Sequence, residues 1–154
     1  MQNESIYVLL ADDDKDDRDF FIEAFESIRI KTIVKTVNDG VELMKHLALN
    51  RNKLPHILFL DLNMPRKNGF ECLEEIKHNR KLKALPVVVF STSFEQEVVN
   101  RLYDNGAQYF IRKPSEFSLY KKIILHTLTL IMQKDISQMT KEDFVLTVEN
   151  SLVP

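Results

Sequence analysis

Five short apolar runs alternate with five segments of helical period, and that alternation restricts the fold of this chain more than any other feature. The runs cover residues 7–11, 33–37, 57–60, 87–90 and 109–111. Each is apolar nearly throughout rather than alternating, as expected of parallel strands covered on both faces. Helices are expected at about 15–28, 40–51, 69–79, 94–105 and 116–133. In the first, Phe21, Phe25 and Ile28 repeat at helical spacing, the mark of a core-facing stripe. Asn105 and Gly106 supply a stop after the fourth. Pro86 suits the start of a strand, where a missing amide donor costs least. Strand–helix alternation of this kind predicts an open doubly wound α/β sheet. A length of 154 residues fits one domain. We expect it over 5–133, with 134–154 as a tail extended or packed on the domain or a partner.

Four chemically active residues fall at or just past the C-terminal ends of these strands: Asp12, Asp61, Ser91 and Lys113. That edge is where open α/β sheets bind ligands. Acids scattered at random land on helix faces as often. Asp12 and Asp13, with Asp61 opposite, offer hard oxygen ligands of the kind magnesium takes beside a phosphate. The loops lack the spacing of a dedicated calcium site. The four histidines have no paired spacing and Cys72 stands alone, which argues against zinc. A divalent cation offsets the repulsion between converging carboxylates and keeps Asp61 ionised as a nucleophile. A phosphoryl group is the matching electrophile, since its transfer depends on alignment and charge neutralisation. Lys113 offers one phosphoryl oxygen a positive charge and Ser91 offers another a hydroxyl. Asp14, Asp16, Asp17 and Asp19 read as a solvated first turn favoured by the helix dipole. Thr92 or Ser93 offers a cap to the fourth helix.

Charge and composition exclude several classes. Twenty-one basic against 23 acidic residues give a net charge of -2, with no basic patch to suggest nucleic acid. The lone Cys72 excludes an internal disulfide and fits a reducing compartment. No signal-peptide pattern opens the sequence and no apolar stretch reaches the ~20 residues that span a bilayer. The expectation is a soluble, cytoplasmic protein without nucleic-acid or membrane contacts.

The last helix carries an apolar arc of roughly 240°, against ~100° for an ordinary surface helix. Phe117, Tyr120, Ile124, Leu128 and Ile131 share one face, Leu119, Ile123 and Leu130 an adjacent one, and Leu125 and Met132 widen it. Either a partner chain or the tail, through Phe144, Val145 and Leu146, is expected to cover it.

The strings Leu9-Leu-Ala-Asp-Asp-Asp14, Leu58-Phe-Leu-Asp-Leu-Asn-Met-Pro65, Gly69, Val87-Val-Val-Phe-Ser-Thr92 and Arg112-Lys-Pro114 resemble the receiver domain of two-component response regulators. The loop from Leu62 to Gly69 is most similar to stand-alone regulators paired with bacteriophytochromes and related sensor kinases. The resemblance implies a flavodoxin-like, five-stranded parallel sheet of order 2-1-3-4-5 with five helices. It implies Asp61 as phosphoacceptor, with Asp12, Asp13, Asp61 and the main-chain carbonyl of Asn63 as ligands of Mg2+. Ser91 becomes the switch hydroxyl, Lys113 the phosphate-binding lysine and Phe110 the aromatic switch position, where many relatives have tyrosine. A cis bond is expected at Lys113–Pro114. The implied partners are a sensor histidine kinase or phosphotransfer protein, then a downstream protein or a second copy meeting the surface of the fourth helix, fifth strand and fifth helix.

Such a protein is a bacterial phosphorelay switch rather than an enzyme, limited to self-phosphorylation from small donors and autodephosphorylation. Two alternatives stand beside it. One is a receiver-like scaffold that is never phosphorylated, in which the full set of acids, serine and lysine has no purpose. The other is a magnesium-dependent phosphohydrolase using Asp61, which needs a second acid where Asn63 stands and a substrate cap this length does not encode.

Overall fold

Six parallel strands run in the order β2-β1-β3-β4-β5-β6, with helices on both faces. The coordinates are a computed structural model that describes residues 5–133 and 141–147. The elements are β1 (Ile6–Ala11), α1 (Lys15–Glu26), β2 (Thr32–Val37), α2 (Gly40–Leu49), β3 (Ile57–Leu60), α3 (Gly69–Lys77), β4 (Val87–Ser91), α4 (Gln96–Asp104), β5 (Tyr109–Arg112), α5 (Phe117–Met132), α6 (Lys141–Phe144) and β6 (Val145–Leu146). The expected order 2-1-3-4-5 is present, and each of the five expected strands lies within a residue of its observed bounds. A short sixth strand extends the sheet beyond β5, in register Phe110 to Val145 and Ile111 to Leu146.

Alternate residues of the central strands point to opposite faces, because successive side chains of a strand do so. Leu9, Leu58, Leu60, Val87, Val89 and Phe110 pack under α2, α3 and α4. Val8, Leu10, Ile57, Phe59, Val88, Phe90 and Ile111 pack under α1 and α5. On that second face the rings of Phe21 and Phe59 meet edge to face at 5.0 Å. Burying these strands on both sides is what their unbroken apolar runs require.

The helix starts are built locally. Asp14 caps α1 by accepting from the amides of Asp16 and Asp17. Asn68 and Glu71 cap α3 reciprocally, each side chain bonded to the other's backbone amide. Helix α4 departs from expectation: its cap position is Glu95, which makes no side-chain cap bond. Ser93 instead turns its amide back to the Ser91 hydroxyl at 3.3 Å.

Both the sheet and Leu146 of β6 contribute to covering the apolar arc of α5. Tyr120, Ile123, Ile124, Leu128 and Ile131 are buried against the sheet and Leu146 joins their cluster. Leu125 and Met132 stay exposed. Phe144 crosses to the other face, fully buried, its ring 5.4 Å from that of Tyr103. Residues 134–140 and 148–154 of the expected tail lie outside the described residues. No helix of the described residues is long and apolar enough to cross a membrane.

Candidate functional site

The C-terminal edge of the sheet gathers the acids that the sequence placed there. Asp12 follows β1 and Asp61 follows β3, and the adjacent parallel strands hold them together: the Asp61 amide donates to the Ala11 carbonyl at 3.0 Å. Carboxylate oxygens of Asp12, Asp13 and Asp61 lie within 4.8 Å of one another. Asp12 and Asp61 are buried while Asp13 is exposed, so the cluster opens to solvent on one side.

Each acid is fixed by its surroundings. Asp12 accepts from the Asp14 amide at 3.0 Å through Oδ1 and from Lys113 Nζ at 2.7 Å through Oδ2. Arg18 donates to the Asp12 carbonyl at 2.9 Å. The loop after Asp61 is closed where the Gly69 amide donates to the Leu62 carbonyl. Within it Arg66 has φ +66°, and the Lys67 amide bonds back to the Pro65 carbonyl at 2.7 Å, a γ-turn that few non-glycine residues adopt. Arg66 Nε also lies 3.3 Å from Asp39 Oδ2, at the start of α2. Asn63 lies exposed in this loop, two residues past Asp61.

Lys113 completes the site from the end of β5. Its amide donates to the Ser91 carbonyl at 2.8 Å, tying it to β4. Its ammonium reaches Asp12 and also Asp17, at 2.9 Å, and lies 4.0 Å from Asp61 Oδ1. Asp17 was assigned to a solvated turn, so this contact corrects that reading. The two residues are 96 apart in sequence, and no local pattern announces the pair. The expected cis bond at Lys113–Pro114 is also corrected: the described residues contain no cis peptide. The trans form is the lower-energy isomer of an X–Pro bond, and with it Lys113 still reaches both carboxylates.

Ser91 and Phe110 sit one layer inward. The Ser91 hydroxyl is fully buried and lies 3.3 Å from the Ser93 hydroxyl. Phe110 is fully buried too, with the half-exposed Phe94 edge-on to it at 5.9 Å.

The electrostatics follow from burial and crowding. Burial pushes the Asp61 carboxyl up, Lys113 offsets part of the shift, and Asp12 and Asp13 add to it, giving a pKa of about 7. Burial likewise raises Asp12 despite Lys113. Burial works against the Lys113 ammonium, yet Asp12, Asp17 and Asp61 outweigh it and raise its pKa. Three crowded carboxylates with only oxygen donors fit a hard divalent cation, which relieves their repulsion. Histidine and cysteine take no part in the cluster, and Cys72 lies on the buried face of α3 in the core.

Comparisons with known proteins agree with this geometry. A family model described as the response regulator receiver domain matches residues 8–125. Response regulator Rcp1 of Synechocystis is 33% identical over 110 residues, covering 69% of this chain and 75% of Rcp1. The crystal structure of the phosphorylated cyanobacterial phytochrome response regulator RcpA superposes with a TM-score of 0.77 at 32% identity, over 89% of this chain and 98% of RcpA. The Mn(2+)-bound form of Rcp1 gives a TM-score of 0.70 at 29% identity, over 87% of this chain and 96% of its own.

Proposed function

This chain belongs to the response regulator receiver-domain family, and on that premise we propose that Asp61 is its phosphoacceptor in a phosphorelay. Receiver domains are signalling switches that take phosphate from histidine kinases or phosphotransfer proteins. Here an Asp61 oxygen attacks phosphorus, the bond to the donor nitrogen breaks, and the electron pair leaves with the donor imidazole. Asp12, Asp13, Asp61 and the Asn63 carbonyl would hold Mg2+, which when bound neutralises charge developing on the phosphoryl oxygens.

The residues of the chain do the rest. Lys113 Nζ, 4.0 Å from Asp61 Oδ1, swings to pair with a phosphoryl oxygen carried there. The Ser91 hydroxyl leaves Ser93 for another, and Phe110 fills the space it vacates. The surface of α4, β5 and α5 then changes shape for a downstream protein or a second copy. Phenylalanine at 110 gives a burial switch without a hydroxyl readout. The short strand β6 is part of that surface, because Val145 pairs with Phe110 itself. The setting is cytoplasmic, the sensor is of the bacteriophytochrome-related type, and small phosphodonors also label Asp61.

The observation that carries this reading is the buried Asp61, beside two further acids and within 4.0 Å of Lys113. The test is intact mass after incubation with acetyl phosphate and magnesium, beside Asp61→Asn. A gain of about 80 Da, one phosphoryl group, is expected in the wild type only and only with magnesium. No gain where magnesium binds would return the chain to the scaffold alternative.

A further inference from the structure

The Lys113 ammonium is divided between two carboxylates that have different claims on it. Nζ lies 2.7 Å from Asp12 Oδ2 and 2.9 Å from Asp17 Oδ2, and the side chain is 6% exposed. Asp12 belongs to the cluster that can hold a cation, whereas Asp17 does not. A divalent ion at Asp12, Asp13 and Asp61 would draw on the same Asp12 carboxylate and bring two positive charges up to a buried ammonium. An ammonium buried without an anionic partner is strongly disfavoured. Lysine and cation share the site at least cost when the lysine keeps a carboxylate outside the cluster.

We infer that Asp17 is a positioning residue which holds the Lys113 ammonium while the cation occupies Asp12. The inference deepens the function proposed above and rests on its metal site. The local structure suits the role. The Asp17 amide is pinned by the Asp14 cap at 3.2 Å, so its backbone is fixed in the first turn of α1. Its side chain is 38% exposed and has room to follow the lysine. The face of the Phe90 ring lies 5.5 Å from Nζ and favours a cation there. When Asp12 turns to the cation, Lys113 keeps one charged hydrogen bond through Asp17. From that position it remains free to cross to a phosphoryl oxygen on Asp61.

Magnesium affinity measured by calorimetry on the full chain tests this without any phosphorylation step. Asp17→Asn is expected to weaken binding on the order of fivefold, and Asp17→Glu to restore most of the loss. In a Lys113→Met background, adding Asp17→Asn is expected to change affinity by less than about twofold. Thermal unfolding of each variant confirms that it is folded. Unchanged affinity in Asp17→Asn overturns the inference. So does an equal loss with and without Lys113, since Asp17 would then act on the cation through its own field. A wild type that binds no magnesium removes the metal site itself and this inference with it. A wild type that binds magnesium but is never phosphorylated overturns the phosphoacceptor reading and leaves this one standing.

Discussion

Gly69 donates its amide to the Leu62 carbonyl across 2.9 Å, folding the loop after β3 back against the residue next to Asp61. A Cβ at Gly69 would sit 2.8 Å from the Leu62 Cα and press on the Asp61 carbonyl as well. Both neighbours are backbone and cannot step aside. Gly69→Ala is expected to cost about 1–3 kcal/mol and to slow labelling of Asp61 by acetyl phosphate. Urea unfolding and timed mass spectra measure the two effects. Wild-type values in both would mean that the loop yields freely.

The Asp61 carboxyl makes the metal-free protein sensitive to pH. Its pKa rises from 3.8 to about 7 on folding, so between those values the folded state holds a proton that the unfolded chain has released. Stability therefore falls as pH rises through that window, and the full cost persists above it. Asp61→Asn has no such proton and is expected to be about 2–4 kcal/mol more stable than wild type near pH 7.5. The gap should close towards pH 4. Denaturant titrations in EDTA at several pH values would show it, and a gap independent of pH would point to a cause other than ionisation.

Burial pushes the Cys72 thiol up to about 12, and the side chain is wholly enclosed beside the Gly40 carbonyl. A thiol with so little thiolate and no access reacts slowly. Ellman's reagent near pH 8 is expected to find no thiol in the native protein and one equivalent after unfolding. Rapid native labelling would reveal an opening of the packing between α2 and α3.

Phe144 is buried, yet the strand that follows it pairs with the domain over only two residues. Removing a buried phenylalanine from a core costs about 3–5 kcal/mol. Here the loss is capped by the free energy of detaching the tail, because a detached tail no longer feels the substitution. Phe144→Ala is expected to cost about 1–2 kcal/mol, the same as deleting the chain after residue 133. A larger cost for the point change than for the deletion would contradict that cap.

Much of this molecule was legible in the residues. The central strands bury both faces, so their apolar runs gave the sheet nearly to the residue. Asp12, Asp61 and Lys113 were found because they end those runs. Asp17 was not, since its partner comes from β5, 96 residues on, and its own neighbours form a charged run typical of a solvated turn. The sixth strand was equally faint: Val145 and Leu146 are too short a run to signal a strand, and only Phe144 hinted at docking. The cap on α3 did have a signal, Asn68 followed three residues later by Glu71. The trans bond at Lys113–Pro114 followed from no residue pattern at all.

The shortness of β6 sets a threshold for whatever approaches that side of the sheet. Local openings in a protein span free energies from near zero up to that of global unfolding. A strand held by two residue pairs belongs at the low end, while β1, β3 and β4, flanked on both sides, belong at the top. An incoming strand that competes for the flank of β5 need only outbid Val145 and Leu146. The rigid half that holds Asp12 and Asp61 stays assembled throughout. Exchange of the β5 amide that faces β6 would then time the departures of that strand, a clock running beside the switch residue.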